Sequence, residues 1–358
     1  MRPKIKDVAR LAGVSPGVVS LVLNNSEGAR VSEPTRLRVI EAAAELGYTP
    51  NRLARSLRTQ RTHTLGMISD QIVTTPYAGR MIQGVQDAAW EAGYLVELID
   101  TAGSSAMEAA AIEVMLSRQV DGILYATMYH RVVEVPEALR DRPVVVLDSE
   151  TGTDGTAAVV PDEVEGGRTA ARRLLEAGHR CIGHITEAED VPAARLRLEG
   201  FRRTLTEADA FDESLIWTDH ADSAGGERGA RELLSRPDRP TALFCYNDRM
   251  AMGAYRAARK LGLAIPGDVS VIGYDDQELV AAELEPGLTT VALPHYAMGR
   301  RAAALLIADI ERGKPNRDDE NQEETAAGTT LEPCPLVERG SVGPPEGAAT
   351  PKGGPTDI

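Results

Sequence analysis

Cysteine is scarce in this sequence. Only Cys181, Cys245 and Cys334 occur among 358 residues, and they show neither the C-x-x-C nor the Cys/His spacing of metal sites and disulfide frameworks. We therefore expect reduced, mostly buried thiols and no bound metal.

Long apolar runs are also missing. No stretch of about 18 apolar residues is present, so no helix is expected to span a bilayer. The basic N-terminus continues as a helical pattern with charges on one face, whereas a signal peptide would continue as an unbroken apolar segment. We expect a cytoplasmic chain without a membrane partner.

The motifs of common enzymes are absent as well. The sequence contains no G-x-S-x-G, no P-loop, no zinc-ligand spacing and no positioned Cys/His pair. Its six histidines are scattered, and His179, in a Gly-His turn before a strand, is expected to be a structural hydrogen-bond donor. We predict a protein that is not an enzyme and needs no cofactor. Adjacent carboxylates such as Asp275 and Asp276 keep an acid/base alternative open.

Charge is abundant but unevenly distributed. The formal net charge of −15 would by itself argue against a nucleic-acid partner, because phosphates attract cations. Residues 1–63, however, carry eleven Lys and Arg against five acids, a net +6 that leaves −21 for the remainder. A small basic module on an acidic body concentrates attraction to DNA at one end. The length, too great for one ordinary core, fits this division.

The basic segment predicts three short helices. The first places Ile5, Val8, Ala9 and Ala12 on one face and ends at Gly13. The second opens at Ser15-Pro16, and the third follows Ser32. The predicted inner residues of these two helices are Val19, Val22, Leu23, Leu37, Ile40 and Ala44. Two helices joined by a short Gly-containing turn are typical of a helix-turn-helix, although a plain three-helix bundle remains an alternative.

From Thr64 onward, apolar strands alternate with amphipathic helices, which predicts parallel α/β sheets. Strands are predicted at 65–69, 95–99, 122–126, 144–147, 181–185, 242–245 and 269–273. Two half-domains of this kind fit the remaining length. In open parallel sheets ligands bind beyond the carboxyl ends of the strands, so polar residues there are site candidates.

Composition suggests the domain boundaries. We predict a helix-turn-helix headpiece at 1–49, a two-subdomain core at 64–340 and a disordered tail at 341–358. The segment 50–63 connects headpiece and core, and a family resemblance implies that it is a hinge helix and linker. The polar, acidic segment 311–328 is predicted to be a solvated loop.

Several ordered motifs resemble one family. IKDVARLAGVSPGVVSLVLNN and RVSEPTRLRVIEAAAELGYTPNRLARSLRT closely resemble the N-terminal headpiece of the LacI/GalR family of lactose- and purine-repressor-like regulators. ARLRLEGF, FCYNDRMAMGAYRA and IPGDVSVIGYDD resemble its body, so the likeness covers nearly the whole chain. It implies an all-α headpiece, a hinge helix that orders on operator DNA, and a two-subdomain parallel α/β core like periplasmic sugar-binding proteins.

The resemblance also implies partners. These are double-stranded operator DNA, a sugar-like effector in the core and a second copy of the chain on a near-palindromic operator. Symmetry argues independently for a homodimer, because one short recognition helix reads too few bases to find a site in a genome.

The DNA-contacting residues are carried over from the family's headpiece and hinge. In the headpiece they are Lys6, Ser15, Pro16, Gly17, Ser20, Leu21, Asn24 and Arg30, and in the hinge Asn51, Ala54, Arg55, Leu57 and Arg58. Pro16, Gly17 and Leu21 offer no side-chain hydrogen bonds, so direct base readout there is limited to apolar contact. Ser15, Ser20 and Asn24 have capping or surface polarity as their ordinary explanation. Leu57 matches an apolar wedge that family members insert into the minor groove.

The effector-contacting residues implied by the resemblance are Asp70, Tyr77, Asp148, Arg197, Asn247 and Asp275. Carboxylates and an arginine converging on a cleft suit a ligand whose hydroxyls both donate and accept. Surface ion pairing is the ordinary alternative, and for Asp248 and Asp276 we favour helix N-caps.

Two other functions stay open. A solute-binding protein would share the core, but the headpiece argues against it. Control of DNA binding by a protein partner, instead of by a small ligand, is the second alternative. Relief of repression is the commoner family behaviour, and we favour it.

Overall fold

The computed structural model describes residues 3–23, 31–48, 61–72, 79–152, 155–313 and 328–345. The chain separates into two compact units, Met1–Thr62 and His63–Ile358. Within the described ranges, none of the helices has both the length and the apolar character that a bilayer crossing demands.

In its described residues, 3–23, 31–48 and 61–62, the first unit contains three helices around a small apolar core. They are α1 (Ile5–Ala12), α2 (Pro16–Leu23) and α3 (Glu33–Glu45). Gly13 ends α1 in the left-handed conformation with φ 69°, as its position in the sequence predicts. The core of this unit consists of Val8, Ala9, Ala12, Val19, Val22, Val39, Ala42 and Ala43.

The predicted inner face of α3 is wrong. Leu37 and Ile40 are 51% and 46% exposed, and Ala44 is exposed too. The helix instead buries Val39, Ala42 and Ala43, because the side of α3 that faces α1 and α2 is filled by small residues. The inner faces predicted for α1 and α2 are confirmed, with Ile5 and Leu23 half-buried.

The second unit contains two six-stranded sheets. The first lobe is built on β1 (Thr64–Ser69), β2 (Leu95–Asp100), β3 (Gly122–Val133), β4 (Val144–Thr151), β5 (Ala157–Pro161) and β11 (Thr329–Glu332). The second is built on β6 (Ile182–Glu187), β7 (Ile216–Asp219), β8 (Ala242–Cys245), β9 (Ser270–Asp275), β10 (Thr289–Ala292) and β12 (Leu336–Val337). The strand orders are β11-β5-β4-β3-β1-β2 and β12-β10-β9-β8-β6-β7. Apart from the antiparallel pair β10–β12, the strands pair in parallel, which confirms the predicted fold class.

Helices cover both faces of each sheet. The first lobe carries α4 (Gly79–Glu91), α5 (Ser105–Ser117) and α10 (His295–Arg312); the second carries α6 (Glu163–Glu176), α7 (Pro192–Glu207), α8 (Ser223–Leu234) and α9 (Asp248–Lys260). Four apolar clusters of buried residues fill the layers between helices and sheets. In the first lobe, one lies beneath α4 and α10 and another beneath α5. In the second lobe, one lies beneath α6 and α7 and another beneath α8 and α9.

Within the residues that the structure describes, the chain passes between the lobes three times. β5 of the first lobe leads into α6 of the second, β10 of the second leads into α10 of the first, and β11 leads into β12. The helix α7 of the second lobe also touches β3 of the first. The carboxyl ends of both sheets therefore meet near these crossings.

The predicted tail boundary is wrong for 341–345. Ser341 is fully buried, its hydroxyl accepts from the amide of Thr289 at 2.8 Å, and it donates to the carbonyl of Val271 at 2.6 Å. Gly343 bonds to Ser270 and His179, which anchors this segment to the second sheet. A glycine- and proline-rich composition concealed these contacts. The prediction for 346–358 falls outside the described residues, as does the predicted acidic loop over 314–327.

Candidate functional site

The start of α2 presents the headpiece candidates to solvent. Ser15, Pro16, Gly17 and Leu21 are exposed, as is Lys6 on α1, while Ser20 is half-buried. The hydroxyl of Ser15 accepts from the amide of Val18 at 3.4 Å, so it caps the helix. This face therefore offers an apolar, small-residue surface with few side-chain donors, which suits close approach to a partner.

Eight of the predicted site residues lie outside the described part of the chain. They are Asn24, Arg30, Asn51, Ala54, Arg55, Leu57, Arg58 and Tyr77.

In the second unit, the chain brings the described effector candidates together from both lobes. The carboxyl group of Asp148 on β4 is affected by the charges of Asp70 in the first lobe and of Arg197 and Asp275 in the second. Burial, with Glu163 nearby, raises the pKa of Asp148 well above its ordinary value. These groups are therefore close enough for their charges to interact, and we refer to them as the polar cluster.

Asp148 lies inside a strand, whereas the sequence predicts that it follows one. β4 continues to Thr151, and β3 continues to Val133, because parallel pairing resumes at Arg131–Ser149 after an irregularity that follows Ala126. Asp148 sits at this interruption with φ 60°, and its carbonyl accepts from the Thr127 hydroxyl at 2.8 Å. The break in pairing releases its side chain from the regular alternation of the strand.

Asp70 is held by a partner that the sequence reading missed. Nη2 of Arg131 lies 2.5 Å from Oδ2 of Asp70, and the amide of Gln71 donates to Oδ1 at 2.8 Å. Burial nevertheless raises the pKa of Asp70 above its ordinary value. These residues line a cavity of about 200 Å³ at the carboxyl ends of β1 and β3, together with Thr101, Glu108 and Tyr125.

Arg197 is the central residue in the part of the polar cluster that the second lobe provides. Its Nε and Nη2 donate to the two carboxylate oxygens of Glu163 at 2.8 and 3.0 Å. Nη1 donates to the carbonyl of Tyr246 at 2.7 Å and lies 3.5 Å from Oδ1 of Asp275. The guanidinium stacks 3.7 Å from the ring centroid of Tyr274. Glu163, 34 positions away in sequence, carried no motif signal that could have found it.

Asp275 ends β9 in a left-handed conformation with φ 104°. Its Oδ2 accepts from the side-chain amide of Gln277 at 2.8 Å. Burial raises the pKa of Asp275 to about 6 despite the nearby Arg197. The surroundings of Asp275 thus disfavour the charged form of its carboxyl group.

The residue that caps α9 is not the one predicted from the sequence. Asn247, predicted as a ligand contact, is the N-cap of α9: its Oδ1 accepts from the amide of Met250 at 2.8 Å, and its Nδ2 donates to Ala221. The N-cap role favoured for Asp248 is wrong, since its buried carboxylate accepts from Thr290 and from the amide of Gln277. Asp276 instead accepts from Arg339 at 2.7 Å.

Two histidines near the cluster were also missed. His130 on β3 lies with Nε2 3.4 Å from Oε1 of Glu150, and burial lowers its pKa. Burial lowers the pKa of His295, at the start of α10, to about 4. In the described part of the chain, no three His, Cys, Asp or Glu side chains are grouped to hold a metal ion.

Comparisons with known proteins agree with both units. Residues 4–51 match the family described as bacterial regulatory proteins, lacI family, and residues 171–342 match a periplasmic binding protein-like domain. The ribose operon repressor of Escherichia coli K12 is 38% identical over 310 residues, covering 86% of this chain and 92% of that repressor.

Solved structures extend the likeness to nearly the full length. The lac repressor dimer bound to operator and the anti-inducer ONPF is 26% identical, with a TM-score of 0.73 over 96% of this chain and 100% of that one. The complex of the transcriptional regulator CelR with cellobiose is 31% identical, with a TM-score of 0.63 over 95% and 100% of the two chains. With a headpiece and a two-lobed core that both match along their lengths, this chain belongs to the LacI family of DNA-binding transcription regulators.

Proposed function

We propose that this cytoplasmic chain represses transcription as a homodimer on a near-palindromic operator. A small hydroxyl-rich metabolite, bound between the lobes of the core, controls its affinity for DNA. The observation that carries the proposal is the polar cluster, in which Asp70 and Asp148 belong to the first lobe and the ion pair of Arg197 and Asp275, 3.5 Å apart, belongs to the second. A ligand that bridges such groups changes the free-energy difference between open and closed lobes, and so biases any property that depends on closure.

The described candidates support a sugar-like effector. The carboxyl groups of Asp148 and Asp275 and the guanidinium of Arg197 provide acceptors and donors for hydroxyl groups. Tyr77 is proposed as a further contact, and Asn247 as a residue that positions the start of α9. Two similar proteins support the same class of effector: CelR, which was solved in complex with cellobiose, and the ribose operon repressor. Effector binding is proposed to release the operator.

The headpiece and the hinge are proposed to bind DNA together. Lys6, Ser15, Pro16, Gly17, Ser20 and Leu21, with Asn24 and Arg30, would face the major groove and its phosphates. Leu57 would enter the minor groove, flanked by Asn51, Ala54, Arg55 and Arg58. Because an inserted wedge unstacks a base step, the operator should carry an easily deformed central step.

The test is selection of bound sequences from a random duplex pool at near-physiological salt. The expected result is a near-palindrome, with binding by Leu57→Ala weakened at least about tenfold on the selected site. Leu37→Ala is the matched control, because Leu37 is an exposed leucine of the same headpiece. Failure of the unmodified protein to enrich any sequence would overturn the proposal.

A second arm tests the effector. Simple sugars are screened for a rise in melting temperature, since a ligand that binds only the folded state stabilises it by mass action. A sugar that stabilises the protein is expected to reduce binding to the selected duplex. Catalysis is not part of the proposal, and turnover of a binding sugar by the purified protein would contradict it.

A further inference from the structure

Glu163 is a buried charge at a crossing between the lobes. It is the first residue of α6, directly after the segment that leaves β5, and it is 2% exposed. Both oxygens of its carboxylate accept from Arg197, in a two-pronged arrangement. Such a pair uses the edge with which arginine would otherwise bind a phosphate or carboxylate ligand.

The rest of the Arg197 guanidinium also contacts protein groups. Nη1 already donates to the carbonyl of Tyr246, and one face lies against Tyr274. Nη1 and Nη2 each carry a second N–H, but Nη1 also lies 3.5 Å from Oδ1 of Asp275, so an anion bound at that end of the guanidinium would meet a carboxyl group. The second guanidinium of the cluster, that of Arg131, is paired with Asp70 through a single contact, Nη2 to Oδ2 at 2.5 Å.

The neighbourhood of these pairs is acidic. Asp148 and Asp275 add two carboxyl groups to those of Glu163 and Asp70. An anionic ligand placed among these side chains would lose its water shell and gain no net positive charge in return, because each arginine already has a carboxylate partner. Hydroxyl groups can donate to those same oxygens without this cost.

We propose that Glu163 is a specificity-determining residue that occupies Arg197 and thereby excludes anionic effectors, so that the cleft takes an uncharged hydroxyl-rich ligand and rejects its phosphate ester. This inference rests on the proposed effector function of the core. Glu163 acts through Arg197 and does not itself need to touch the ligand.

The first experiment uses inorganic phosphate as the probe and the Glu163→Gln variant of the full chain. This substitution keeps the shape of the side chain but removes its charge, so Arg197 is left without a counter-ion. Phosphate is expected to bind the variant at least about tenfold more tightly than the unmodified protein, measured by calorimetry at constant ionic strength. Glu150→Gln is the matched control: it removes one charge near the same cluster, beside His130, without a contact to Arg197. It should show no gain.

A cooperatively melting Glu163→Gln protein that gains no phosphate binding, or an equal gain in Glu150→Gln, would overturn the proposal. Loss of a buried partner is costly, so the variant needs a companion measurement in case it does not fold. That measurement compares D-ribose with D-ribose 5-phosphate, and D-glucose with D-glucose 6-phosphate, on the unmodified protein.

In each pair, only the uncharged sugar is expected to raise the melting temperature. If a phosphate ester stabilises the unmodified protein as much as its parent sugar, Glu163 does not exclude anions, although effector control would stand. If no uncharged sugar binds while the duplex selection succeeds, the sugar effector of the proposed function fails, and the phosphate measurement still decides the role of Glu163.

Discussion

The imidazole of His184 lies parallel to the ring of Phe244, with centroids 4.5 Å apart and an interplanar angle of 13°. Its Nδ1–H donates to the carbonyl of Phe244 at 3.0 Å, which fixes the tautomer. Phe201 packs on the same imidazole, and the residue is fully buried. Burial lowers the pKa of His184 to about 4. The aromatic cluster therefore accommodates the neutral ring.

This relationship predicts a pH-dependent stability. The pKa of His184 in the folded state, about 4, lies below its ordinary value of 6.5. Its contribution to stability is therefore fully present above pH 6.5 and is lost as the pH falls toward 4, by about 3 kcal/mol at most. Buried carboxyl groups such as Asp275 change stability with pH in the opposite sense. The contribution of His184 is therefore measured as the difference in stability between the unmodified protein and a variant that lacks this ring.

The comparison is between the unmodified protein and His184→Phe, unfolded with urea at pH 7.5, 5.5 and 4.5. The variant is expected to lose less stability on acidification than the unmodified protein. Parallel pH profiles would show that protonation of this ring does not oppose folding.

A close helix crossing sets the position of Arg197. A Cβ on Gly200 would overlap the carbonyl oxygen of Val164, and one on Gly167 would overlap the carbonyl of Arg197. We predict that Gly200→Ala destabilises the protein by about 1–3 kcal/mol, because α6 and α7 must move apart. The same displacement separates Glu163 from Arg197, so binding of an effector sugar should weaken.

Gly79→Ala is the control, since a Cβ there meets open space at the start of α4. Urea unfolding of both variants checks the prediction. Equal stability of the two would mean that the crossing adjusts without cost.

The fold was largely predictable from the sequence because its signals are local. Alternating apolar strands and helices, and Gly13 at the end of α1, depend on short-range sterics and periodicity. The inner face of α3 was not predictable in this way. Hydrophobicity favours burial of Leu37 and Ile40, but the packed space admits Val39 and alanines, a choice made by tertiary packing.

The site was predictable only in part. The resemblance supplied Arg197, Asp148 and Asp275, which the structure places in one cluster. It supplied no partner for Arg197: an acid in the first turn of a helix is usually explained by the helix dipole, and the pairing of Glu163 depends on how α6 crosses α7. Arg131 was missed because the strand that carries it resumes after an irregularity.

Ser341 gives a test of the C-terminal anchor. Ser341→Ala removes the acceptor of the Thr289 amide and the donor to the Val271 carbonyl, both in a fully buried setting. We predict a loss of about 1–3 kcal/mol in the free energy of unfolding, because a buried donor is left unsatisfied. Ser235→Ala, at an exposed position of the same lobe, should change stability by less than about 0.5 kcal/mol. Equal effects of the two substitutions would contradict the anchoring role.

A substitution at Gly17 tests folding and DNA binding of the headpiece separately. It is exposed within α2, and a Cβ there would lie 3.7 Å from Oγ of Ser15, an ordinary contact. Gly17→Ala should therefore stabilise the helix by about 0.5–1 kcal/mol, because alanine loses less backbone entropy on folding. Slower hydrogen exchange in α2 would report this gain.

The same substitution is expected to weaken binding to the selected operator at least about tenfold, because the added methyl group keeps the backbone at the start of α2 away from the base edges. Binding to a scrambled duplex should change less, since contacts to phosphates carry no sequence information. A gain in the stability of α2 together with a loss of operator affinity would identify Gly17 as a position used for contact with DNA. A more stable α2 with unchanged operator affinity would mean that the duplex does not approach this glycine, and the recognition surface would then have to be sought on other exposed residues of the headpiece.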